Sequence, residues 1–362
     1  MESRPIVECD VIIVGLGCFG LGAAYYMSKK GLKVIGFDKA HKPGAIGSGS
    51  VGHGRIWRYL HCEERYFQMQ KESEEIFREI EQKTGTELLH PGGLLYIKKI
   101  GHPDLNTFDQ YGKRMSAAEI NQKYPGLVVP DYLEGVFAHD AGVVRVKEAL
   151  TLFKDQSVNQ GADLRYDNMV AHIDHQNSIV TLENGDKFKA KSIVVTCGAT
   201  TDQFYMEKNQ FNARKQLIHC YYLNENQGLP TAFLMEDLEE SNGIIVFGTL
   251  DGENFSTYKV GNECDDIDPH LMLKIMKKIM PSKIKNIDHV QTCFYSMSHD
   301  DEFIFERQGN TVFGFGCNGR GFKHMPYHGK RIYNLVVGNQ KEADKYKIST
   351  YAKAIVEPVA KL

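Results

Sequence analysis

The chain has 362 residues, 42% of them hydrophobic and 25% charged, the balance of a soluble globular protein with room for two cores rather than of a disordered tract. Its 43 basic and 46 acidic residues leave a net charge of -3, which argues against a nucleic-acid surface and points to small molecules. The eight cysteines (Cys9, Cys18, Cys62, Cys197, Cys220, Cys264, Cys293, Cys317) show no C-x-x-C spacing, so no metal and no disulfide framework is expected, only reduced intracellular thiols.

Val11-Ile12-Ile13-Val14 is a short β-branched run, followed by Gly15-Leu16-Gly17-Cys18-Phe19-Gly20 and a helix-like Leu21 to Lys30. Although Val11 to Met27 carries no charge, four glycines interrupt it, so strand, turn and helix are expected instead of a membrane anchor. In such a unit Gly15 permits the tight turn, Gly17 lets a pyrophosphate approach the backbone and Gly20 lets helix pack on strand. The phosphates would sit at the helix N-terminus. A second strand, Val34 to Phe37, ends in Asp38, placed to bond a ribose. This fingerprint admits NAD or FAD.

Gly52-His53-Gly54-Arg55-Ile56-Trp57-Arg58 follows a glycine-rich loop with two permanent cations, an arrangement that makes sense opposite an anion. A helix is expected from about Cys62 to Lys83, with Phe67, Ile76, Phe77 and Ile80 on one face. Ser116 and Glu119 read as a capping box. Asn184-Gly185 reads as a hairpin turn between Ser178 to Glu183 and Lys187 to Lys189, and Ile193 to Thr196 as another buried strand. Further strands are expected at Leu217 to Leu223, Ile244 to Phe247, Ser256 to Val260, Val290 to Tyr295, Phe303 to Phe305 and Val312 to Phe315, with a helix at Leu271 to Met280. No linker or repeat marks a boundary, which suggests an α/β chain of two interleaved domains, one Rossmann-like and one sheet-rich α+β. The terminal Ala360-Lys361-Leu362 is a variant of the Ser-Lys-Leu peroxisomal address.

Four separated motifs, in order, resemble those of the monomeric sarcosine oxidase family, which includes N-methyltryptophan oxidase and the peroxisomal sarcosine/pipecolate oxidases. The likeness runs from about Cys9 to Lys330. The first motif, Gly15 to Asp38, implies FAD. In the second, Arg55 would lie against the flavin and Arg58 would hold a substrate carboxylate. The third, Thr292-Cys293-Phe294-Tyr295 with Asp300 to Ile304, implies a covalent bond from the Cys293 sulfur to the flavin 8α-methyl group. The fourth, Gly316-Cys317-Asn318-Gly319-Arg320-Gly321-Phe322-Lys323, implies Lys323 as a second carboxylate contact. Lys259 matches a lysine that promotes reaction with oxygen, where a fixed cation favours the developing superoxide. Lys39, Ser48, Val170, Gly198, Tyr295, Gly319 and Gly321 are implied as further cofactor contacts.

The resemblance thus implies a monomeric oxidase that turns an N-methyl or cyclic amino acid into an imine, reduces oxygen to hydrogen peroxide and meets a peroxisomal import receptor. It implies an FAD-binding domain made of 1–85, 140–212 and 288–345, a substrate domain of 86–139 and 213–287, and a tail of 346–362. Departures cluster around the substrate: Val51, Gly54, Phe247, Glu263 and Arg320 replace the family's residues, so Phe247 and Glu263 are read as substrate-side positions that set identity. A flavin dehydrogenase with another electron acceptor, an NAD-dependent dehydrogenase and a non-catalytic FAD-binding protein are the rival readings.

Overall fold

The β-branched run near the N-terminus builds the centre of the first sheet: Val7–Val14 lies parallel to both Val34–Phe37 and Lys187–Val195. The computed structural model describes residues 6–205, 214–239, 243, 245–263, 269–298 and 300–347. Val11 and Ile13 enter a core shared with the helices, whereas Ile12 and Val14 enter a second core with Ile35, Phe37, Val170 and Phe313. Burial on both faces is what a parallel strand with covered sides requires. The expected separate strands at Lys187 to Lys189 and Ile193 to Thr196 are one strand, Lys187–Val195. Its first half alternates because it pairs with the hairpin strand Ile179–Leu182. Its second half is wholly buried between Val7–Val14 and Thr311–Phe315.

The helix Cys18–Lys29 packs on Met325–Val336 with backbones almost touching, since a Cβ on Gly22 would lie 2.4 Å from the Met325 carbonyl oxygen and one on Gly329 only 2.1 Å from that of Gly22. The 316–324 segment leads into the second of these helices and meets the first at Phe19, whose ring would lie 2.9 Å from a Cβ on Gly321. The helix Glu64–Thr84 ends at Gly85 with φ 70. Its buried face is Tyr66, Met69, Phe77 and Ile80, while the expected Phe67 and Ile76 are only half-buried. The Ser116–Glu119 capping box forms as expected.

A second sheet of eight strands runs Ile287–Met297, Arg214–Leu223, Thr257–Glu263, Ile245–Asp251, Ala232–Met235, Leu94–Lys99, Leu133–Ala138, Gly112–Ser116. Its first strand, which carries Cys293, pairs along its length with Arg214–Leu223. The expected segment boundary at 288 therefore does not coincide with a sheet boundary. A small third sheet joins Gly54–Arg58 to Ala141–Arg145 and the latter to Leu89–Pro91. No helix among the described residues is long and apolar enough to cross a membrane.

Candidate active site

The three motif glycines have three separate reasons. Gly15 has φ +93, and a Cβ there would meet the Thr196 carbonyl oxygen at 2.6 Å; a Cβ on Gly20 would meet that of Gly15 at 1.9 Å. A Cβ on Gly17 would meet only Ser50 Oγ, at 3.6 Å, and Gly17 lines a large cavity. Helix Cys18–Lys29 starts there; Gly17 has no side chain to cap it, the Cys18 amide donates to Ser50 Oγ at 3.2 Å, and the positive end of the helix dipole favours an anion at this point. Asp38 accepts from the Leu16 amide at 2.7 Å and the Ala40 amide at 2.8 Å, tying the turn to the second strand at the cavity wall.

The cavity measures about 910 Å³ and is lined by Gly15, Gly17, Asp38, Lys39, Ser48, Val170 and Gly198 together with Arg55, Arg58, Phe247, Lys259, Cys293, Gly319, Gly321 and Lys323. Gly20 is absent from the wall and serves helix packing. Glu263 ends a strand, and Tyr295 lies within one, but their side chains fall outside the described residues.

Arg55 and Arg58 sit three residues apart on strand Gly54–Arg58, and both line the cavity. Arg55 donates to the carbonyls of Val51 at 2.5 Å, Gly54 at 2.9 Å and Gly49 at 3.2 Å. Arg58 lies 5.2 Å from the centroid of the Tyr96 ring. Tyr96 donates to Glu236, which also holds buried Lys98 at 2.9 Å. Burial pushes the Tyr96 phenol far up, against the pull of Arg58. Gly54 is confined to glycine because a Cβ would lie 1.9 Å from the Leu250 carbonyl oxygen.

Lys259 donates to the Gly54 carbonyl at 2.6 Å and pairs with Asp251 at 2.9 Å. Asp251 accepts from the amides of Gly54 at 2.9 Å, Gly252 at 2.8 Å and His53 at 3.1 Å. Burial raises the Asp251 carboxyl, but the charge and hydrogen bond of Lys259 and the amides outweigh it and hold it at about 2. Burial, then the nearby Arg55, draw Lys259 below the ordinary lysine range. Asp251 has amide donors that favour its charge, whereas Lys259 faces a second cation.

The glycine loop is pinned through Asn318, whose side chain donates to the carbonyls of Gly316 at 2.9 Å and Glu302 at 3.1 Å and accepts from the Ser298 amide at 2.8 Å. Lys323 is buried at its end, with Nζ 3.4 Å from the Arg320 carbonyl oxygen. The Phe247 ring lies over Gly261, where a Cβ would come within 2.4 Å of it.

The model of the family described as FAD dependent oxidoreductase matches residues 10–335. The chain belongs to that family. This FAD dependent oxidoreductase is 26% identical over 361 residues to peroxisomal sarcosine oxidase of Homo sapiens, which covers 90% of this chain and 91% of the relative. Monomeric sarcosine oxidase of Arthrobacter sp. is 24% identical over 368 residues, with 93% and 94% covered. Among solved structures, NikD, an unusual amino acid oxidase essential for nikkomycin biosynthesis, matches with TM-score 0.77 at 19% identity over 92% of this chain and 95% of its own. L-proline dehydrogenase from P. horikoshii matches with TM-score 0.77 at 16% identity over 97% and 99%. These structures establish the shared fold. The open space at Gly17, the helix start beside it and the large cavity are the features an FAD diphosphate and ring system need, so the residues present fit the cofactor of the family.

The sequence reading missed Tyr96, Glu236 and Cys220, which line the cavity, and Asp251, which pairs with the cavity residue Lys259. Asp251 is recognisable only from strand register: Lys259 is directly opposite Thr249, and Asp251 lies two residues further on the same face.

Proposed function

We propose that the protein oxidises a secondary amine bearing a carboxylate, an N-methyl or cyclic amino acid such as sarcosine or pipecolate, to an imine, with oxygen reduced to hydrogen peroxide. The observation that carries this reading is the presence of Arg58, Lys323, Lys259 and Cys293 in the wall of one cavity. The names of the human and Arthrobacter relatives support the substrate class.

When bound, FAD supplies the two-electron chemistry that takes a hydride equivalent from the carbon beside nitrogen and passes the electrons to oxygen. Arg58 and Lys323 hold the substrate carboxylate and so orient the carbon–nitrogen bond. Phe247 supplies an apolar wall on the substrate side, and Glu263 is assigned to the amine side. Lys259, kept in place by Asp251, gives a fixed cation in a dry site for the anion formed as oxygen is reduced. Arg55 faces the ring system from the loop that it ties together. Lys39, Ser48, Val170, Gly198, Tyr295, Gly319 and Gly321 make the remaining cofactor contacts, and Cys293 Sγ holds the flavin covalently.

The protein acts as a monomer in this reading, its FAD-binding and substrate segments interleaved along the chain. Ala360-Lys361-Leu362 lies outside the described residues. We assign it to a peroxisomal import receptor, an address suited to an enzyme that releases peroxide. Deleting Leu362 should leave a tagged protein in the cytosol, and an unchanged distribution would remove the address from the account. Peroxide release with sarcosine, pipecolate, N-methyl amino acids and proline tests the chemistry. Release with at least one supports it; electron delivery only to an artificial acceptor would oppose the oxidase reading.

A further inference from the structure

Four side chains form a diagonal row across four adjacent strands of the second sheet. Cys293 is opposite Ile218, and Cys220 lies two residues along; Cys220 is opposite Gly261, and Lys259 lies two residues along; Lys259 is opposite Thr249, with Asp251 two beyond. Each step moves the same way along the sheet and stays on one face, because side chains alternate with period two. Cys220 and Cys293 are each 7% exposed, pack in one cluster with Val51 and Tyr222, and line the cavity. Their side chains therefore lie together on one face, close enough for the two thiols to influence one another.

Diagonal partners have Cα atoms about 7–8 Å apart, whereas a disulfide needs about 4.4–6.8 Å. The placement therefore suits a hydrogen bond between thiols better than a disulfide. We infer that Cys220 is a positioning residue that holds Cys293 as the reactive thiolate, its S–H donating to the Cys293 sulfur before the flavin is attached. This rests on the proposed attachment at Cys293. The charged and titratable groups facing the pair are consistent with it: Arg55 from the loop strand and Lys259 from the neighbouring strand both favour an anion at Cys293. Asp251 stands behind Lys259 and is paired to it. Tyr222 donates to Gln291 at 3.1 Å and has its phenol pushed up by burial, and Cys317, packed beside the cluster, has its thiol pushed up to about 12 by burial. Both stay neutral at neutral pH. The neighbouring Cys220 thiol is the foremost influence holding the Cys293 thiol below the ordinary thiol range, ahead of the opposing effect of burial.

The attachment balances as follows. The thiolate electron pair forms the C–S bond at the 8α carbon, an 8α C–H bond breaks with loss of its proton to solvent, and the two electrons released pass through the ring to oxygen, which leaves as hydrogen peroxide. A thiolate starts this step and a thiol does not. Because nucleophilicity falls with pKa, the rate at one pH changes less than the thiolate fraction does, so the pH midpoint is the informative quantity.

The full-length chain is produced under riboflavin limitation and supplied with FAD, and covalent flavin is followed as fluorescence of the denatured polypeptide across pH. Iodoacetamide labelling of the Cys293 peptide is followed across the same range before FAD is added. Retention of FAD through native gel filtration reports folding for Cys220→Ala, Cys220→Val and Cys220→Ser. We expect Ala and Val, which lack a donor, to raise both midpoints by about one pH unit or more toward the ordinary thiol value of about 8.5, and Ser, which keeps one, to restore them. Unchanged midpoints in a folded Ala or Val variant would overturn the inference, as would loss of both free thiols to a disulfide in the flavin-free wild type. If the wild type acquires no covalent flavin, the attachment reading fails, and the labelling midpoint still decides whether Cys220 acts on Cys293.

Discussion

Lys259 and Asp251 meet at 2.9 Å in the sheet that walls the cavity, with 3% and 1% of their side chains exposed. Removing one partner of such a pair strands the other charge, a loss of about 3–5 kcal/mol. Asp251→Ala should therefore lower unfolding free energy in urea by about that amount, and adding Lys259→Met should recover part of it, since neither charge then remains. The acid dependence has a defined sign. Asp251 is held at about 2 in the folded protein, below the unfolded carboxylate value of about 3.9. Its contribution of roughly 2–3 kcal/mol is complete above roughly pH 5 and is lost as pH falls through the folded value toward about 1. Lys259→Met alone should slow reoxidation of the reduced enzyme by orders of magnitude and slow its reduction by substrate much less. Stopped-flow traces showing equal slowing of both halves would exclude an oxygen-specific role.

Gly17 and Gly20 separate cofactor binding from folding. Gly17→Ala adds a methyl into open space beside Ser50 Oγ, so the melting temperature of the flavin-free chain should hold while FAD binds roughly tenfold or more weakly. Gly20→Ala drives a Cβ into the Gly15 carbonyl oxygen and should cost about 1–3 kcal/mol of stability. Identical behaviour of the two variants in thermal melts and FAD titrations would show that the cavity at Gly17 is not the phosphate site.

How much of this was legible beforehand differs from region to region. The turn from Val11 to Asp38 was readable because strand, glycine turn, helix and acid follow one another in one short stretch, even though the crowding at Gly15 and Gly22 comes from distant Thr196 and Met325. The strand carrying Arg55 and Arg58 was not, since Gly52-His53-Gly54 breaks any alternation and the strand exists only through pairing with Ala141–Arg145. The strands Leu94–Lys99 and Leu133–Ala138 and helix Val146–Asn159 also went unread. Lys259 was recognised by its likeness to a family position, but Asp251 and Cys220 acquire their meaning from strand register across non-adjacent segments, which no local pattern encodes. The Lys187–Val195 strand was split because its two halves face different surroundings.

Arg58 and Lys323 offer two cations to one carboxylate in this reading. Converting the substrate acid to its amide should raise the barrier measured by kcat/KM by about 2–5 kcal/mol, the cost of breaking a buried charge pair. Arg58→Met should lose activity on the acid by a similar amount and little further on the amide, because the partner charge is already gone. Equal activity of the wild type on acid and amide would remove the clamp.

The claim that one cavity presents a flavin and a carboxylate clamp to the same amine is tested most directly by anaerobic titration of the purified yellow protein with sarcosine, pipecolate, N-methyl amino acids and proline. At least one of them should bleach the flavin band near roughly 450 nm stoichiometrically, and admission of oxygen should restore the band with release of one peroxide per flavin. A band that persists through the whole panel would contradict the assignment.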